Sequence, residues 1–291
     1  MRRSPTPTVS AADRAPTLAL GLLFSFTVLA LVGYGTFGRN PTLLARFPQA
    51  LGFYGASFHF FAQVHIWLAM GAMGALLLVR VRHRWIAAFV ALYAVSLAAE
   101  LLGTGTGIPF GAYRYTDALG ARWFGHVPVV IPMSWFFMAV PAYALALRLY
   151  PSRGPRRVVL AAALLTAWDL ALDPAMSRAT AYWVWERPGL YYGMPLSNLV
   201  GWMTTGVALM VALELLDARR WVTALPRAWL ATFYGLNLLL PLGMCALAGL
   251  WAAVPIALTA VALPLAAVRL LPEPTRITPD PRPVREPEVT P

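Results

Sequence analysis

Long apolar stretches bounded by arginine, proline or glycine recur at about 17–37, 57–79, 85–102, 127–147, 158–176, 197–216 and 228–268. Runs of this kind predict transmembrane helices, because about 20 apolar residues are needed to cross a hydrocarbon layer about 30 Å thick. The last stretch has no charged side chain, and as one helix it would be roughly 60 Å long, twice that thickness. It predicts two crossings with a turn near Ala248–Trp251, bringing the expected total to about eight helices. The fold class that follows is all-α: a polytopic helical membrane bundle over 17–271. Tails at 1–16 and at 272–291, the latter rich in proline, are expected to be disordered. Arg2 and Arg3 followed by 17–37 have the outline of a signal peptide. The run is too long for a signal core and no small-residue cleavage motif follows it, so it reads as a first transmembrane helix. No internal repeat is evident.

Composition agrees, with 59% hydrophobic and 12% charged residues; soluble domains carry about twice that charged fraction. The net charge of +11 comes entirely from arginine. These arginines sit at the ends of apolar stretches, which makes them topology anchors rather than a nucleic-acid surface. With the N-terminus in the cytoplasm, seventeen fall on the cytoplasmic side and six outside, the asymmetry that short membrane loops show. Both termini are therefore expected in the cytoplasm, and the chain in the cell membrane (a bacterial inner membrane) as a multi-pass protein. The single cysteine, Cys245, excludes an intrachain disulfide and any cysteine-based metal site.

Two carboxylates, Asp169 and Asp173, interrupt the fifth apolar stretch one helical turn apart, on one face of a helix. An acidic residue at mid-membrane costs roughly 2.5–3.5 kcal/mol on insertion scales, so such residues mark function more often than not. Close like charges disfavour double ionisation and burial favours the neutral form, so the pair predicts a carboxylic acid able to protonate an apolar partner. The plainer reading has Asp173 ending the helix before Pro174 and Asp169 pairing with Arg178 or Arg187. Glu100, at the end of the third stretch, is either a base that positions water or an interfacial carboxylate bonded to loop hydroxyls and amides.

Two loops stand apart from the short arginine turns. Residues 103–126 are rich in glycine and include Tyr113 and Tyr115; residues 177–196 hold Tyr182, Trp183, Trp185, Glu186, Tyr191 and Tyr192. In the topology above both lie on the outer face, beside Glu100, Asp169 and Asp173. Their rings either line a pocket whose π-faces stabilise a cation or form an ordinary interfacial belt; Trp168 adjoins Asp169. The run Gly103-Thr-Gly-Thr-Gly107 has no preceding strand and no following Lys-Ser/Thr, so nucleotide binding is rejected. His59 and His65 lie on different helix faces and make no joint metal site; His59 is expected to pack with Gln63. Glu214 and Asp217 are expected to form surface pairs with Arg219 and Arg220.

Several runs together resemble the carotenoid biosynthesis membrane proteins of the CruF type. They are Glu100-Leu-Leu-Gly-Thr-Gly-Thr-Gly-Ile-Pro-Phe-Gly-Ala-Tyr-Arg-Tyr115, Ile131-Pro-Met-Ser-Trp135, Trp168-Asp-Leu-Ala-Leu-Asp-Pro174, Tyr182-Trp-Val-Trp-Glu186 and Asn198-Leu-Val-Gly-Trp202. The likeness covers roughly 50–250. That family includes carotenoid 1,2-hydratases and bisanhydrobacterioruberin hydratases. The resemblance implies addition of water across the terminal C1=C2 double bond of an acyclic end group, by protonation to a tertiary carbocation and capture by water, without cofactor or metal. On that basis the acid belongs to Asp169/Asp173, with Asp173 preferred, while Glu100 or Glu186 orients water. Tyr113, Tyr115, Trp168, Tyr182, Trp183, Trp185, Tyr191, Tyr192, Asn198 and Trp202 are assigned to the substrate. The implied partners are lycopene, γ-carotene or a similar acyclic or monocyclic carotenoid entering from the bilayer, membrane lipid, and other carotenoid enzymes; no nucleic acid is expected.

Other classes compete. A carotenoid end-group cyclase would share the protonation step and differ only in what captures the cation. A proton-coupled transporter would use the aspartates as a relay, but the inner half of their helix is bare aliphatic (158–165). A membrane prenyltransferase would need more clustered aspartates and cations than one Asp-x-x-x-Asp supplies.

Overall fold

A computed structural model describes residues 11–270. In chain order it contains α1 (Ala11–Gly33), a π-helical turn (Tyr34–Gly38), α2 (Pro41–Ala45), α3 (Ala50–Val81) and α4 (Ile86–Thr106). Three short strands follow, β1 (Tyr113–Tyr115), β2 (Arg122–Trp123) and β3 (Val127–Pro128), then α5 (Ile131–Leu149) and α6 (Pro155–Asp173). A second π-helical turn (Pro174–Ala179), β4 (Trp183–Trp185), α7 (Leu196–Leu215), α8 (Arg219–Val222), α9 (Arg227–Leu247) and α10 (Ala253–Leu270) complete it. The chain is a helical membrane bundle. Seven of these helices are long and apolar enough to cross a membrane among the described residues. The eighth expected crossing corresponds to α10, of 18 residues, with a rise of about 27 Å; its apolar part, Ala253–Ala266, is shorter than the others.

The predicted break in 228–268 is a turn at 248–252, where Gly249 adopts φ +76°. Helix α1 begins at Ala11, within the stretch expected as N-terminal tail. The expected tail at 272–291 and the first ten residues lie outside the described residues.

The distribution of polarity is that of a protein in lipid. Large apolar side chains such as Leu18, Leu22, Leu29, Phe53 and Phe60 face outward, while Glu100, Asp169, Asp173, Asn198 and Asn237 are buried. Helix α5 is the centre of the bundle, with nearly every side chain from Ile131 to Leu147 buried. Helices α4, α6 and α9 pack around it, and α7 closes against α4 and α6. At the opposite end from the loops, Arg157 is not a surface anchor. Its side chain is fully buried and paired with Glu214, which also accepts from Tyr143 Oη at 3.0 Å. Asp217 pairs with Arg220 and with Arg153. The expected pairing of Glu214 with Arg219 or Arg220 is thus replaced by one with Arg157, because helix packing brings the start of α6, with Arg153 just before it at 3.7 Å, to its carboxylate.

A unit of helix, aromatic strand and helix is used twice, as α4–β1–α5 and α6–β4–α7. Strands β1 and β4 pair antiparallel in the register Tyr113↔Trp185, Arg114↔Val184, Tyr115↔Trp183. Each second helix is introduced by Pro-x-Ser plus a polar-headed side chain: Pro132-Met-Ser-Trp135 and Pro195-Leu-Ser-Asn198. This similarity is hidden in the sequence because only a few positions of each unit correspond.

Candidate functional site

The β1–β4 ribbon places the loop aromatics. Side chains alternate across a strand, so Tyr113, Tyr115, Trp183 and Trp185 are buried on one face while Arg114 and Val184 are exposed on the other. The inward rings of each strand grip one carboxylate. Glu100 Oε2 accepts hydrogen bonds from the hydroxyls of Tyr113 (a very short contact) and Tyr115 (2.8 Å), and Oε1 accepts from Trp135 Nε1 at 2.9 Å. Asp173 Oδ2 accepts from Trp183 Nε1 at 2.9 Å, and Oδ1 accepts from Trp185 Nε1 at 3.1 Å and Ser177 Oγ at 2.9 Å. Burial, and after it the Glu100 carboxyl, holds the Tyr113 and Tyr115 hydroxyls far above the ordinary phenol range. Both rings therefore stay hydrogen-bond donors.

Asp169 is different. It is fully buried, Oδ2 accepts from Asn198 Nδ2 at 2.7 Å, and Oδ1 has no hydrogen-bond partner among the described residues. The alternative pairing of Asp169 with Arg178 or Arg187 does not occur: all three carboxyl groups are served by neutral N–H and O–H donors.

Two prolines explain further contacts. Pro174 has no N–H for the carbonyl of Leu170 four residues back; the Tyr191 hydroxyl donates to that oxygen instead, at 2.7 Å. Pro241 likewise frees the carbonyl of Asn237, which accepts from Trp168 Nε1 at 3.0 Å. The chain after Pro174 widens into the π-helical turn that carries Ser177 back onto Asp173.

Glu100 and Asp173 border a cavity of about 450 Å³ together with Trp135, Trp168, Trp202 and the ribbon rings. Trp135 and Trp202 stack with centroids 4.0 Å apart, and the Tyr182 ring packs on Phe58 at 5.1 Å. Asn198 borders the cavity; Asp169 does not, and sits behind Asp173. At its other side the cavity is bordered by Leu29, Phe37 and Phe53, which are also exposed on the apolar outside of the bundle. The arrangement has room for a long apolar molecule whose tip would meet two buried carboxyl groups and several ring faces.

Besides Asp169, three expected site residues lie outside the cavity. Glu186 follows the inward Trp185, so strand alternation turns it outward; it is exposed and outside the cavity. Tyr191 is consumed by the Leu170 carbonyl. Tyr192, at φ +55°, accepts a hydrogen bond from the Ala252 amide and ties the loop to the α9–α10 turn. His59 is exposed and does not pair with Gln63, which donates to Ala118 O. The residues not anticipated as site members are Trp135, Ser177 and His65. Trp135 had a sequence signal, the same Pro-x-Ser lead-in as Asn198; Ser177 sits four residues after Asp173, one turn on. Among the described residues no group of three or more His, Cys, Asp or Glu side chains is arranged to hold a metal ion.

Comparison with known proteins bears on this geometry. The chain is 38% identical over 122 residues to the bisanhydrobacterioruberin hydratase of Haloarcula japonica, a match that covers 41% of this chain and 41% of the relative. No solved structure matches. The sequence profile of a family described as carotenoid biosynthesis protein matches residues 61–264, a span that holds all three carboxyl groups and both strands of the ribbon. The chain belongs to the carotenoid biosynthesis protein family.

Proposed function

We propose that this protein is a carotenoid hydratase that adds water across the terminal C1=C2 double bond of an acyclic carotenoid end group. The observation that carries the reading is the pair of donor-saturated carboxyl groups, Glu100 and Asp173, at the aromatic end of an apolar cavity whose other side reaches the lipid-facing surface. The substrate, lycopene, γ-carotene or a similar polyene, enters from the bilayer past Leu29, Phe37 and Phe53 and brings its end group to the ribbon. Asp173 transfers a proton to C2. The indole N–H groups of Trp183 and Trp185 can only donate, so they favour the carboxylate that this step leaves. The tertiary cation at C1 is stabilised by neighbouring ring faces, each worth about 2 kcal/mol or more when desolvated. Water forms the C1–O bond and gives one proton to Glu100, from which the proton returns to the Asp169/Asp173 pair. Asp169, with an unpartnered oxygen one turn away, holds the pair's reserve proton. No redox change is involved, and the residues named supply both proton donor and acceptor.

The similarity to a hydratase supports this chemistry, and the membrane is then the site of action, the cell membrane of a bacterium. The test is expression in a host making lycopene or γ-carotene, with Asp169→Asn and Asp173→Asn made separately. Wild type should yield pigment heavier by one water, and Asp173→Asn none. Hydroxylated pigment at wild-type levels from both variants would remove the acid from this pair; pigment of altered retention but unchanged mass would identify a cyclase.

A further inference from the structure

Of the polar groups that border the cavity without a part in the proton chemistry, among them Ser57, Ser134 and Asn237, one is a histidine. His65, on α3, is buried and lies on the same wall as Phe58, Phe61, Ala62 and Ile66. Its Nε2 lies 3.2 Å from Thr27 Oγ1 on α1, and that hydroxyl donates its only proton to the Leu23 carbonyl at 2.8 Å. With that proton given to Leu23, Thr27 accepts and Nε2 is assigned the ring proton from this bond pattern. An imidazole that donates from Nε2 keeps Nδ1 as an acceptor, and among the described residues Nδ1 has no partner. Polar groups within a membrane protein that face a cavity are costly unless used. The carboxyl groups come from α4 and α6, whereas this acceptor stands on α3, whose neighbouring rings form the apolar wall.

We infer that His65 is a binding subsite for an O–H group, which donates to Nδ1 while Thr27 fixes the ring. The inference rests on the cavity being the carotenoid site. Two sources of O–H fit: a hydroxyl already present on the carotenoid, or the water consumed in the reaction. The first makes this chain selective for partly oxygenated acyclic carotenoids; the second makes His65 a holding point for the co-substrate.

Binding separates these from each other and from the catalytic reading. Quenching of intrinsic tryptophan fluorescence in detergent-purified protein reports polyene occupancy, since five indoles border the cavity, whether or not hydration occurs. Wild type, His65→Leu, His65→Asn and Thr27→Val would be titrated with lycopene and with a monohydroxylated derivative, and their hydration rates followed. A carotenoid hydroxyl predicts that His65→Leu weakens the hydroxylated ligand by about 2- to 13-fold, the net worth of one hydrogen bond. Lycopene affinity should be unchanged, and His65→Asn should restore part of the loss. Unchanged affinities with slower hydration of both substrates in His65→Leu identify water as the donor. Equal weakening of both ligands, or no change in affinity or rate, overturns the inference; lycopene binding by the variants shows that they are folded. A wild type that binds but never hydrates would refute the hydratase reading alone.

Discussion

The indole N–H of Trp183 offers the sharpest test of how the site works. Asp173 Oδ2 has Trp183 Nε1 as its partner at 2.9 Å, while Oδ1 has two donors. Trp183→Phe keeps a ring in the ribbon and deletes that one donor. A buried hydrogen bond to a charged acceptor contributes about 1.5–3 kcal/mol. Asp173 gains its negative charge as the proton leaves, so most of that contribution belongs to the transition state. At 1.36 kcal/mol per decade the hydration rate constant should fall roughly 10- to 150-fold. Trp202→Phe is the matched comparison. It also shrinks an indole bordering the cavity, but the Trp202 N–H makes no hydrogen bond among the described residues and its role is to stack on Trp135. Ring pairs of that kind are worth about 0.5–1.5 kcal/mol, so its rate should fall about tenfold at most. The assay is conversion of lycopene in isolated membranes, with product resolved by chromatography and mass. Equal losses in the two variants would mean that ring area matters and the donated bond does not. A Trp183→Phe enzyme at wild-type rate would refute the role given to Asp173.

Three further outcomes are expected. Gly103 and Gly201 flank Phe110, and a Cβ on Gly103 would stand 2.7 Å from the Phe110 ring; Gly103→Ala should cost about 1–3 kcal/mol through overpacking, read as a lower midpoint of thermal unfolding in detergent. Glu186→Gln should leave hydration within about twofold of wild type, since surface substitutions of this kind have small effects; a large loss would return Glu186 to the site. Burial holds the Tyr113, Tyr115, Tyr182 and Tyr191 hydroxyls above the ordinary phenol range. A raised phenol contributes stability fully present below its unfolded value, about 10, and lost as pH rises through the folded one. Ultraviolet titration should therefore show these phenolates appearing together with unfolding in strong alkali; early, reversible ionisation of all eleven tyrosines would contradict their burial.

The crossings, the turn after Leu247 and the two loops that carry the β1–β4 ribbon were legible in the sequence, because hydropathy and punctuation by arginine, glycine and proline are local properties. The sequence also singled out Asp169, Asp173 and Glu100, since carboxyl groups in apolar runs are costly wherever the chain goes, and all three are buried. Partner choice was not legible. That Trp183 and Trp185 serve Asp173 while Tyr113 and Tyr115 serve Glu100 depends on the β1–β4 register, and the same register turns Glu186 out. Whether an aromatic lines the cavity or satisfies a carbonyl freed by proline, as Tyr191 does, depends on which helix packs beside it. The burial of Arg157 against Glu214 and the meeting of His65 with Thr27 each join residues distant in the chain. Such contacts arise only when helices pack, because hydrogen-bond direction and cavity shape are properties of several segments at once.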